Sequence, residues 1–184
     1  LKWDVYAASD GAVCQRGHEV CATSGAEDFF EPALAITHAD GNMSTYLYFQ
    51  GVEQKPVEGG AETIITLADK EYPVTVKLHY VAYPKQSVIK AWGEVTHKEK
   101  APITLWRYAS TMLYFKSTKY FVTTYHSDWA KEGQPETTQL ISGKKIVDTK
   151  LGTRAAMQEE PFFELGFDAP ARENEGRVML GTIG

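Results

Sequence analysis

The chain has 184 residues, 43% hydrophobic and 23% charged, with 19 basic against 24 acidic side chains and a formal net charge of −5. A chain of this length buries enough surface to form a core without staples, which argues against disorder. The acidic balance offers no positive field to phosphates, and no apolar run approaches the roughly 18 residues of a membrane helix, so neither nucleic acid nor membrane is expected as a partner.

The chain opens at Leu1 without an initiator Met or a charged-then-apolar leader. It reads as a processed or trimmed product of a soluble protein, with the periplasm or the exterior favoured over the cytoplasm. Tyr, Phe and Thr are abundant, and these side chains suit a pleated, half-buried surface. In chain order, short apolar-rich runs predict strands at Leu34–Thr37, Thr45–Phe49, Thr63–Leu67, Val74–Tyr80, Val88–Thr96, Ile103–Arg107, Thr111–Phe115, Tyr120–Tyr125, Pro161–Phe167 and Arg177–Thr182. The clearest is Val74, Val76, Leu78 and Tyr80, which alternate with Thr75, Lys77 and His79 at the period of two expected of a sheet with one buried face. Turn signals fall between the runs at Asp40-Gly41-Asn42, Gly59-Gly60, Tyr83-Pro84, Ala101-Pro102, Ser142-Gly143 and Glu175-Gly176. No segment carries a sustained helical stripe. The pattern predicts an all-β fold, a large two-sheet antiparallel β-sandwich in one domain over residues 1–184.

Few residues announce chemistry. Cys14, His18 and Cys21 form a C-x3-H-x2-C cluster, but a structural zinc site needs a fourth ligand, so a local disulfide or two unpaired thiols compete with it and no metal or other cofactor is expected. His38, His79, His97 and His126 are scattered, with no serine or cysteine in an elbow motif to make a triad. Trp92 alternates onto the polar face with Lys90 and Glu94, opposite Ile89, Ala91 and Val95. There it can stack on a sugar ring, fill an interface, or lie under a second sheet. Trp129 sits in Tyr125-His126-Ser127-Asp128-Trp129-Ala130-Lys131-Glu132, directly after a predicted strand, and reads equally as a ligand-facing loop or a tightly bonded corner.

At that loop an ordered set of motifs emerges. Asp128-Trp129-Ala130-Lys131-Glu132, Gln139-Leu140, Lys150-Leu151-Gly152-Thr153-Arg154, Pro161-Phe162-Phe163 and Glu173-Asn174-Glu175-Gly176-Arg177-Val178 follow Asp28-Phe29-Phe30-Glu31-Pro32-Ala33, His38-Ala39-Asp40-Gly41-Asn42 and Trp92-Gly93-Glu94-Val95-Thr96-His97. Together, from about Gly25 onward, they resemble the N-terminal domain of glycoside hydrolase family 36 α-galactosidases. The resemblance departs from the family pattern at Phe30, where an Arg is common, and at Arg154-Ala155-Ala156-Met157, where many members carry Ser-Ser-His.

The resemblance implies a β-supersandwich of galactose-mutarotase-like architecture, followed by a catalytic barrel that holds both catalytic aspartates. The parent enzyme would then hydrolyse terminal α-galactosyl groups with retention. It places no catalytic residue in this chain, which alone is expected to be inactive. Asp128, Trp129 and Trp92 become candidates for the substrate rim or an interface, and the expected partners are an α-galactoside substrate, the barrel of the same protein and further copies in a homo-oligomer. The rival readings are a free-standing carbohydrate-binding module that stacks sugars on Trp92 or Trp129, and a mutarotase-like enzyme that moves a proton with His79 or His126 and a nearby Glu.

Overall fold

The structure, a computed structural model, describes residues 20–25, 31–148 and 158–182. Its ten strands are all antiparallel, no helix occurs among the described residues, and the chain divides into two compact units at Tyr114/Phe115. None of the described residues forms a helix long and apolar enough to cross a membrane.

The first unit holds β1 (Leu34–Thr37), β2 (Leu47–Val57), β3 (Gly60–Asp69), β4 (Val74–Tyr83), β5 (Val88–His97) and β6 (Thr104–Tyr108). β2 to β5 form a meander in chain order, while β1 and β6 pair as a separate ribbon. Alternation on β4 works as the sequence implies. Val74, Val76 and Leu78 bury one face, and they meet Leu34 and Ile36 of β1 in a core that includes Cys21, Ala33 and Leu67. Truncating a side chain as completely enclosed as Leu34 or Ile36 to Ala costs about 2–5 kcal/mol. A tight turn joins β2 to β3, and Gly60 opens β3 where the backbones run too close for a side chain. A Cβ there would lie 2.1 Å from the Ala82 carbonyl oxygen.

One loop of this unit is fastened by a polar relay rather than by apolar packing. His38 Nδ1 lies 2.8 Å from Glu99 Oε1 and Nε2 lies 2.9 Å from Thr45 Oγ1, while the Ala39 amide donates to Glu99 Oε2 at 2.8 Å. The imidazole stacks on Tyr72 at 3.6 Å, and the Tyr72 hydroxyl donates to Asp40 Oδ2. A buried polar ring is tolerable when both its nitrogens are bonded, as here.

The second unit holds β7 (Tyr120–Asp128), β8 (Lys131–Leu140), β9 (Gln158–Phe167) and β10 (Val178–Thr182), in the sheet order β10-β9-β7-β8. Proline cannot donate to a ladder, and the two prolines within these strands sit where that costs least. Pro135 lies on the edge strand β8, and Pro161 falls where the β7–β9 register slips between Thr124 and His126. Beyond β9 the chain turns at Asp168, which adopts φ 68° and accepts hydrogen bonds from Ser117 Oγ at 2.6 Å and Thr118 Oγ1 at 3.0 Å. Those hydroxyls, first Ser117 and then Thr118, hold the Asp168 carboxyl below its ordinary pKa.

Two sequence expectations are corrected. Residues 111–115 are not a strand. Met112 packs against the first unit's core from irregular backbone. Conversely, Lys131–Leu140 carries no apolar alternation and contains Gly133 and Pro135, yet it is a strand of ten residues. An edge strand exposed along most of its length needs no apolar face, because the ladder to β7 is its main contact.

Candidate functional site

Asp128 and Trp129 stand together at the β7–β8 turn. Asp128 pairs with Lys131 across the hairpin, which leaves Trp129 and Ala130 as a two-residue turn. Ala130 takes φ 59°, a left-handed conformation in which a methyl side chain is strained by about 1–2 kcal/mol. The Asp128 carboxylate accepts the Trp129 amide at 2.7 Å, and Ser127 Oγ accepts the Gly133 amide at 3.0 Å while donating to Glu160 at 2.5 Å. These bonds fix the turn from beneath and leave the indole 89% exposed. The backbone is the tightly bonded corner that one sequence reading describes, and the side chain is presented to solvent.

Below the turn lies a polar and aromatic surface whose Tyr125, His126 and Phe162 fall in sequence motifs but whose carboxylates Glu136, Glu159 and Glu164 do not. The Tyr125 hydroxyl donates to Glu164 Oε1 at 2.8 Å, and its ring lies 4.8 Å from that of Phe162. The bond to Glu164, followed by burial and the Glu160 charge, pushes the Tyr125 hydroxyl above its ordinary pKa. His126 Nε2 is 3.1 Å from Glu136 and 4.0 Å from Glu159. A mutarotase-like reading asks for a His–Glu pair at His79 or His126, and each has one, with His79 Nδ1 2.8 Å from Glu62. His79 is too enclosed to meet a sugar ring, with its side chain 9% exposed. An open depression in the second unit is lined by Phe115, Lys116, Phe167, Arg177 and Met179, and none of these is a candidate by residue type or spacing in the sequence.

Trp92 belongs to β5 of the first unit. Its neighbours follow the alternation, with Glu94 and Lys90 on its own face, but its ring is not free to present both sides. One side stacks on His79 at 4.6 Å and 11° between planes. Lys90 Nζ lies 5.2 Å from the ring centroid. Cys21 is buried in the first unit's core, while Cys14 and His18 lie outside the described residues, as do Asp28-Phe29-Phe30 and the stretch 150–157. The question of a disulfide or zinc at Cys14 therefore lies outside them too.

Antiparallel sheets with no helix among the described residues place the chain in the all-β class. The chain belongs to the glycosyl hydrolase family 36 N-terminal domain family, whose family model matches residues 4–184 and so runs across both units. Solved structures agree on the fold. A GH36 α-galactosidase AgaA variant from Geobacillus stearothermophilus, in complex with 1-deoxygalactonojirimycin, superposes with a TM-score of 0.77 at 24% identity, over 86% of this chain and 24% of that one. The galactosidase domain of the α-galactosidase–sucrose kinase AgaSK gives 0.73 at 23% identity, over 82% and 23%. The α-galactosidase from Lactobacillus brevis gives 0.71 at 21%, over 81% and 22%. The chain thus spans about a quarter of the length of these structures. No curated protein matches its sequence.

Proposed function

We propose that residues 1–184 form one non-catalytic sandwich domain of an α-galactosidase that hydrolyses terminal α-galactosyl groups with retention, and that the domain shapes the substrate rim and contacts a neighbouring copy. The observation that carries this reading is the pairing of family membership with the exposed Trp129. An indole held in water by a strained turn buries little surface against its own unit, whereas it stacks well on a sugar face or fills a partner's pocket. The acid and nucleophile of a retaining glycosidase need two carboxyls about 5 Å apart across the scissile bond, and on this reading both lie in the barrel rather than in this domain.

The test has two arms. The purified chain should release no nitrophenol from nitrophenyl α-galactoside above a blank. In the parent enzyme, Trp129→Ala should raise KM or loosen the oligomer with kcat largely retained. Hydrolysis by the chain itself, or an unchanged KM together with an unchanged oligomer, would overturn the reading. The exposure of Trp129 also suits a free-standing carbohydrate-binding module. That alternative is selected if the isolated chain binds galactosides and loses them on Trp129→Ala.

A further inference from the structure

Trp129 and the depression lined by Phe115, Lys116, Phe167, Arg177 and Met179 lie at opposite ends of one sheet, both within the second unit. The indole follows the last residue of β7. The depression stands at the first, where Tyr120 pairs with Phe167 and its hydroxyl donates to the Phe115 carbonyl. β7 has nine residues, so about 27 Å of strand separates the two features. One copy therefore cannot bring its own indole to its own depression.

The two features match in shape and in charge. The depression holds about 300 Å3, and its apolar lining is Phe115, Phe167 and Met179. The two phenyl rings meet edge to face at 5.3 Å, an arrangement that an inserted indole extends. Arg177 is held at the rim, with its guanidinium 5.3 Å from the Phe167 ring and 3.1 Å from Asp168, while Lys116 is exposed. Asp168 offsets part of the Arg177 charge, so Lys116 is the freer cation. At the other end, the parts of β7, β8 and β9 nearest the turn carry Asp128, Glu132, Glu136, Glu159 and Glu160 against Lys131 and His126 among the described residues. The Asp128 carboxylate already accepts the Trp129 amide, which leaves the exposed Glu132, three residues from the indole, as the freer anion. An acidic end with a projecting ring and a basic end with an aromatic floor are complementary when two copies run antiparallel.

We propose that Trp129 of one copy docks in the depression of a second copy, with Glu132 beside Lys116, and that a two-fold axis makes the contact reciprocal. This inference rests on the proposed contact with a neighbouring copy and names the surface that receives the indole. A two-fold repeats every contact with the roles exchanged, so both rings and both depressions are filled and the assembly closes as a dimer. A large aromatic side chain buries about 150–250 Å2. Two of them with the surfaces they cover fall short of the roughly 1,200 Å2 of a standard interface, so the isolated chain pairs weakly and reversibly.

Sedimentation velocity across a concentration series of the chain reads the equilibrium directly. The chain should dimerise, and W129A and K116E should each raise the dimer dissociation constant at least about tenfold, as loss of a central aromatic or reversal of a paired charge does. E132K should weaken pairing as well. An equimolar mixture of K116E and E132K should recover it, because in the mixed dimer one contact is native and the other has its charges exchanged. Trp129, Lys116 and Glu132 are all exposed, so these changes cost the sheet no packing of its own. A monomer at every concentration, a dimer indifferent to K116E, or failure of the mixture to pair would each overturn the contact. Hydrolysis of nitrophenyl α-galactoside by the chain would instead overturn the non-catalytic reading and leave the dimer result standing.

Discussion

Replacing His38 with Ala tests whether the relay through Glu99 and Thr45 is what fastens the loop between β1 and β2. The substitution removes the 2.8 Å partner of Glu99 Oε1, the 2.9 Å partner of Thr45 Oγ1 and a ring stacked on Tyr72 at 3.6 Å. It leaves behind a carboxylate whose side chain is 6% exposed, with only the Ala39 amide as a remaining donor. An orphaned buried hydroxyl costs about 1–3 kcal/mol, and a buried charge that loses its partner about 3–5 kcal/mol, before water enters the space vacated by the ring. Since hydration of that space offsets part of the sum, His38→Ala should lose roughly 3–5 kcal/mol. With a urea slope of about 2 kcal/mol per molar, the unfolding midpoint should fall by about 2 M. Glu99→Gln keeps an acceptor for the ring and should cost less. The double variant should be milder than the sum of the singles by about 1–3 kcal/mol, because removing both partners leaves no lone buried charge. A His38→Ala protein within about 1 kcal/mol of the parent, or strict additivity in the cycle, would refute the claim that the relay holds this loop.

Two further outcomes follow from single contacts. At Gly93 of β5, the Tyr108 hydroxyl accepts the amide at 2.9 Å and donates to the carbonyl, and an added Cβ would fall 2.8 Å from that hydroxyl, so Gly93→Ala should expel the phenol and cost about 1–3 kcal/mol by urea unfolding, with Tyr108→Phe costing less. Asp168 is held below its ordinary pKa by Ser117 and Thr118, Asp40 by the Asn42 amide and then the Tyr72 hydroxyl, and Glu99 is lowered despite burial, which raises it, by its bonds from His38 and Ala39. For a carboxylate depressed in the folded state, the stabilisation is complete above the unfolded pKa and is lost as pH falls through the folded one, so stability should decline below about pH 4, and Asp168→Asn should flatten that decline in pH-dependent melting curves.

Most of the strand set is legible in the sequence because alternation is a local signal. Val74 to Tyr80 shows which residues face inward before any partner is known, and the registers with β3 and β5 follow the same parity. Alternation does not reveal whether a segment finds a partner. Residues 111–115 have apolar spacing like that of β6 but pair with nothing as a strand, and Met112 reaches the core from irregular backbone instead. The His38–Glu99 contact joins residues 61 apart, and only the tertiary fold brings them together.

The environment of Trp129 depends on the one strand that hydrophobic pattern does not find. With Lys131–Leu140 taken as loop, the sequence around Trp129 is a long polar segment in which an indole could as well be tucked under its neighbours as held out. Once Lys131 pairs with Asp128, the connection shrinks to two residues, and a two-residue turn has no chain of its own with which to cover a large ring. Exposure of Trp129 is then a consequence of topology, and the left-handed Ala130 is the local cost of closing the turn at that position. A polar edge strand carrying a proline thus braces the turn through the β7 ladder without an apolar face of its own, so among the described residues the turn presents Trp129 to solvent instead of burying it.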